Sequence, residues 1–183
     1  VIGEYDQDTL YSRWMLGLAY QKAERYTESI EEMARAHDGL EATLGKEHHQ
    51  SVGSLVVLGI SLSLAGRHAE AIDALRLAVT LIDDPVAFGE DLYLYALAML
   101  GVSFRESGRL TDAIEMLEHA YDRSVSLHGA TGQKARRAGA RLAEALCATG
   151  SVEDAERGVE IMQVDVEFRQ EESPGVRATV EAH

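Results

Sequence analysis

The sequence predicts an all-α fold: an α-solenoid of four stacked helical hairpins with part of a fifth. Three observations predict it. Leu16, Leu58, Leu100 and Leu142 recur at a constant step of 42 residues within closely similar segments. In the same register a turn position reads Glu24, Gly66, Gly108, Gly150 and a small residue reads Ser29, Ala71, Ala113, Ala155. The 183 residues contain two prolines and no asparagine, which suits a helix-rich chain with few tight turns. Self-similarity at such a period is the mark of a repeat architecture.

The first hairpin spans residues 8–43. Leu16, Gly17 and Tyr20 share one face of its first helix, and the glycine lets a neighbouring helix approach closely. The turn falls at Glu24, Thr27 is the expected N-cap, and the second helix runs from Glu28 to about Thr43, with Met33 and Ala36 as its packing pair. The second hairpin spans 49–84. Gly66 suits a helix C-terminus that needs a left-handed residue. His68-Ala69 offers no cap, Leu75 and Ala78 pack, and Asp83-Asp84-Pro85 reads as the stop. The third hairpin, 90–126, repeats the pattern with Leu100, Gly101, Phe104, Gly108, Thr111, Leu117 and Ala120. The fourth, 132–170, has Leu142, Gly150, Ser151, Val159 and Met162. Gly3, Gly45 and Gly129 mark the loops between hairpins, and 171–183 reads as a linker and the start of a further repeat or a cap. Both ends fall inside the repeat phase, so the chain reads as one array, 1–183, cut from a longer protein.

Composition narrows the function classes. Seventeen basic against thirty-one acidic residues leave a formal charge of −14, which argues against a nucleic-acid or anionic-membrane partner. A hydrophobic fraction of 46% is enough for a core. The single Cys147 cannot form an internal disulfide, which fits a cytoplasmic setting. No apolar run reaches the roughly 18 residues of a membrane span.

The spacing and residues resemble the tetratricopeptide repeat, in the 42-residue form of kinesin light chains and many bacterial regulators. The loop Leu44-Gly45-Lys46-Glu47-His48-His49 resembles that family's inter-repeat linker. The resemblance implies a right-handed superhelix whose first helices line a concave groove that docks a peptide or protein segment. By the family's register the groove positions include Tyr11, Trp14 and Leu18, then Val56 and Ile60, then Tyr95, Met99 and Arg105, then Arg137 and Arg141. The aliphatic members have a second reading, packing between helices. Trp14 and Tyr95 are the stronger binding candidates, since large aromatics are over-represented at interaction hot spots. Arg137 and Arg141, four apart, share a helix face, and arginine suits carboxylates through its planar fork. The family's full carboxylate clamp also needs asparagines, and Ile60 and Met99 stand in those columns. An acidic stretch docking at Arg105, Arg137 and Arg141 is one reading; pairing with Glu106 and Glu144 is the other.

Catalytic motifs are absent from the sequence. Gly129 to Lys134 lacks the glycine spacing and the final Ser/Thr of a phosphate loop. His48-His49 reads as a solvated loop and Cys147 as a buried or groove-lining thiol. The expectation is therefore a non-catalytic protein-interaction module with no cofactor and no metal, whose partner carries apolar anchors and an acidic stretch. Two alternatives stand beside it: the sensor or regulatory arm of a signalling protein, and a scaffold self-associating through open array ends.

Overall fold

The computed structural model describes residues 6–172, with side chains through Arg169. The Gly3 loop and the predicted start of a further repeat lie outside the described residues. Among the described residues the structure is helical throughout, with no strand. It divides into two compact units, one ending at Arg109 and the other starting at Leu110.

The first unit contains α1 (Gln7–Lys22), α2 (Tyr26–Leu44), α3 (His49–Leu64), α4 (His68–Leu81), the single turn α5 (Pro85–Phe88) and α6 (Glu90–Glu106). Here α1 packs on α2 and α3 on α4 as hairpins, while α2 packs on α3 and α4 on α6. Asp6 caps α1, its carboxylate accepting the Asp8 N–H at 3.1 Å. The turn at the end of α1 follows from backbone chemistry. The Arg25 N–H reaches back to the Tyr20 carbonyl at 2.9 Å and the Glu24 N–H to Gln21 at 3.1 Å, so two orphan carbonyls are satisfied. Arg67 to Leu62 with Gly66 to Ser63, and Arg109 to Phe104 with Gly108 to Arg105, repeat this wiring. It requires a left-handed residue, and φ is 76° at Gly66, 75° at Gly108 and 59° at Glu24. The arginine after the turn also packs: Arg25 lies 4.5 Å over the Tyr20 ring and Arg109 4.5 Å over Phe104.

This wiring leaves no room for the expected cap at Thr27. Arg25 holds the N-cap position of α2 and Thr27 lies inside the helix. Pro85 is likewise not the end of α4, which stops at Leu81; it opens α5, where Asp84 caps the Val86 and Ala87 N–H groups. His48 and His49 are exposed, as expected of a solvated loop, and also make local contacts. His48 caps α3, while the His49 ring lies 4.7 Å from Phe88 and its Nε2 sits 2.9 Å from the Phe88 carbonyl.

The core of this unit centres on α3, which is buried on every side from Ser51 to Ser63 except at Leu58. A helix that is apolar all round belongs inside, and this one fits there because serine and glycine alternate with Val and Leu. A Cβ on Gly59 would stand 2.6 Å from the Leu75 Cγ, and one on Gly17 2.8 Å from Met33. Several of the serines satisfy one another, while the Ser51 hydroxyl has no partner among the described residues. Ser29 donates to the Gly17 carbonyl at 2.9 Å and lies 3.0 Å from Ser61, which accepts from Gln21 Nε2. Ser103 donates to Ser63 at 2.8 Å, and His37 Nδ1 lies 3.1 Å from both the Ser54 hydroxyl and the Ser51 carbonyl.

The second unit contains α7 (Leu110–His128), α8 (Gln133–Ala148) and α9 (Val152–Glu172). α8 packs against both α7 and α9 around Leu117, Leu142 and Leu146. Gly139 lets α8 approach; a Cβ there would stand 2.9 Å from Ile161 and 3.0 Å from the Tyr121 ring. Partial burial, with Asp122 beside it, holds the Tyr121 phenol above its ordinary pKa. Ser151 caps α9 as expected, its hydroxyl 3.4 Å from the Asp154 N–H. Asp165 meets Arg136 at 3.0 Å and Arg169 at 2.9 Å, with Arg136 also 4.8 Å over Phe168.

Candidate functional site

The surface of interest is the face of the first helices, which the repeat register singles out. On α1, Tyr11 is exposed and Trp14 and Leu18 are half-buried. The two aromatic rings meet edge to face, with centroids 6.2 Å apart. Gly53, one repeat on from Tyr11 and itself buried, lies beside the indole: a Cβ there would make ordinary contact, 3.9 Å, with the far ring carbons of Trp14. The indole Nε1–H is buried and has no acceptor among the described residues, so an unused donor lies beneath this aromatic ledge. Tyr95, in the same column as Tyr11 and Gly53, is also exposed.

Val56, Ile60 and Met99 correct the expected groove lining. They are 0%, 2% and 3% exposed and belong to the core. The reason is the depth at which α3 sits: its glycines and serines draw α1 and α6 onto it, and those packings close over the aliphatic columns. The packing alternative is the one realised for these three side chains.

Arg105 stands at the end of α6 with its guanidinium 2.7 Å from Glu106, which matches the pairing reading. In the second unit, Arg137 is exposed and Arg141 half-buried, four residues apart on α8. Lys134 and Arg136 add to the cationic run of that helix, though Arg136 is engaged by Asp165 and Phe168. Cys147 is exposed near the end of α8 rather than buried. Among the described residues no group of His, Cys, Asp and Glu is arranged to hold a metal ion, and no helix is long and apolar enough to cross a membrane. Sequence reasoning placed Gly53 in the groove register but missed its packing beside Trp14. A glycine in a column otherwise occupied by Tyr11, Tyr95 and Arg137 was the available signal.

Paired antiparallel helices at a 42-residue repeat, with small residues at each crossing, define a helical-repeat solenoid. Sequence models of the tetratricopeptide repeat match residues 7–83 and 94–132, and the chain belongs to the tetratricopeptide-repeat family. No curated protein matches it. Among solved structures, it is similar to a Podosopora anserina protein of nearly identical TPR-like repeats, of kinesin-light-chain type. The TM-score is 0.69 at 20% identity, over 91% of this chain and 78% of that one. A substituted form of that protein aligns with a TM-score of 0.43 at 17% identity, over 88% and 96%. The first likeness concerns the fold. Tetratricopeptide repeats are in general protein–protein interaction modules and are typically non-catalytic.

Proposed function

We propose that this chain is a non-catalytic docking module that binds a segment of a partner protein along its first-helix face. The observation that carries the reading is the edge-to-face pair of Tyr11 and Trp14, whose indole N–H has no acceptor among the described residues. Large aromatics at a surface, here an exposed Tyr11 beside a half-buried Trp14, are over-represented at interaction hot spots. The partner's apolar side chains seat there and at Tyr95. In the second unit, Arg137 and Arg141 on α8 offer a separate cationic stretch to acidic residues of a partner.

Trp14 is the only tryptophan, so its emission reports on the ledge directly. The test is a titration with peptides selected from a display library of acidic sequences bearing Leu or Phe anchors. A saturable shift in Trp14 emission is expected. It should weaken about tenfold in Tyr11→Ala, as for a hot-spot residue worth about 1.4 kcal/mol. Charge reversal at Arg137 should weaken binding and flatten its salt dependence. Selected peptides that bind without moving the emission, and equally well to Tyr11→Ala and Arg137→Glu, overturn the reading.

A further inference from the structure

One titratable side chain inside the first unit takes no part in the docking surface. His37 sits where α2 packs on α3, with its side chain 14% exposed. Both of its ring nitrogens face acceptors. Nδ1 is 3.1 Å from the Ser51 carbonyl and 3.1 Å from the Ser54 hydroxyl. A carbonyl can only accept, and the Ser54 hydroxyl donates its own proton to that same carbonyl at 2.8 Å. Nε2 is 3.6 Å from a carboxylate oxygen of Glu41, one turn further along α2. The ring thus meets two uncharged groups from α3 and one carboxylate from α2. Among the described residues no charged group of α1 or α3 bonds or pairs with it. In the 42-residue register the same column holds Val79, Tyr121 and Gln163, so the arrangement belongs to the first junction alone.

A neutral imidazole carries one N–H and one lone pair, so it can satisfy one of these two sides. With the proton on Nδ1, the Nε2 lone pair faces the Glu41 carboxylate. With the proton on Nε2, the Nδ1 lone pair faces the Ser51 carbonyl, unless Ser54 leaves that carbonyl and donates to the ring. The imidazolium suits both sides at once: Nδ1–H donates to α3 in a charge-assisted bond, and the ring forms an ion pair with Glu41. We propose that His37 is a proton-sensitive latch, which tightens the packing of the first hairpin on the second when its ring gains a proton. Histidine is the side chain that ordinarily changes charge between about pH 5 and pH 8. The sign follows: a group better bonded with its proton adds stability at the acid end of that range and loses it as pH rises. Ser51 and Ser54 flank Gly53, which lies beside Trp14, so the latch holds the turn of α3 next to the aromatic pair. It needs no partner, and so stands or falls independently of the docking reading.

The experiment is urea unfolding of the full chain at about pH 6 and about pH 8, with the wild type set against His37→Asn. The asparagine amide stands in for Nδ1–H at every pH, and all other histidines are common to both chains. The folding constant of the wild type relative to the variant should be about fivefold greater at the lower pH, the margin of a charge-assisted over an ordinary hydrogen bond. Two further variants should move the pH response in opposite directions. Ser54→Ala removes the hydroxyl that can relieve the neutral ring, so the response grows. Glu41→Gln removes the anion beside Nε2, so the response shrinks. These two carry the test alone if His37→Asn does not fold. A relative folding constant equal at the two pH values, or greater at the higher one, overturns the proposal. So does a pH response that either Ser54→Ala or Glu41→Gln leaves unchanged or moves the other way.

Discussion

Replacing Glu24 by glycine should stabilise the first hairpin, and the structure supplies the size of the effect. Glu24 is the one non-glycine residue among the described residues with positive φ, at 59°. It stands where the equivalent hairpins place Gly66, Gly108 and Gly150. An L-residue pays roughly 1–2 kcal/mol for a left-handed backbone, because its Cβ crowds the following carbonyl. Glycine removes that strain but costs about 0.4–1 kcal/mol through the greater freedom of its unfolded chain. The net gain is about 0.5–1 kcal/mol, or a rise of about 2–6 °C in the melting temperature of a unit this size. Thermal unfolding followed by circular dichroism reads it directly. The reverse change supplies the control: Gly66→Ala imposes the same strain and should cost about 1 kcal/mol. A Glu24→Gly variant that melts at or below the wild-type temperature would refute the account of the turn.

Gly59→Ala should destabilise by about 1–3 kcal/mol in urea, because its Cβ meets Leu75 at 2.6 Å and α3 cannot retreat. Leu117→Ala, at a site with no exposed surface, should cost about 2–5 kcal/mol by the same measurement. Glu28 and Glu70 are held below the ordinary carboxylate pKa, first by hydrogen bonds from the Arg25 and Arg67 guanidiniums. Their contribution is therefore present above the unfolded carboxylate value and lost as pH falls through the depressed one. Glu28→Gln with Glu70→Gln should shallow the acid limb of the stability profile slightly, since both pairs are fully solvated; an unchanged limb refutes the coupling.

The repeat was legible because it rests on local chemistry. Gly66, Gly108 and Gly150 announce left-handed turns, and Gly17 and Gly59 announce close helix crossings; each signal sits within a few residues of its effect. The site was less legible because exposure is set by how deeply a helix sinks, which is a property of its neighbours. Val56, Ile60 and Met99 occupy the columns the family register assigns to a groove, yet Ser51, Ser54, Gly53 and Gly59 let α3 settle until those side chains are covered. The same reasoning missed α5, where Asp84 and Pro85 start a helix and only the preceding Leu81 ends one. The cap at Thr27 failed for a related reason: the backbone wiring through Arg25 had already set where α2 begins.

The burial of α3 on all sides governs how the first unit comes apart. In a repeat protein stability divides into the worth of each repeat and the worth of each junction, and weak junctions let repeats fray one at a time. Here α1, α2, α4 and α6 all rest on α3 or on a helix that does, and Ser61 and Ser63 of α3 hydrogen-bond to Gln21 of α1, Ser29 of α2 and Ser103 of α6. Exposing any face of α3 strips partners from the others. Amide exchange across the first unit should therefore show one shared opening energy for α1 to α4 and α6 rather than a gradient from the end, so that the stretch responds to strain or to a partner as a single cooperative block.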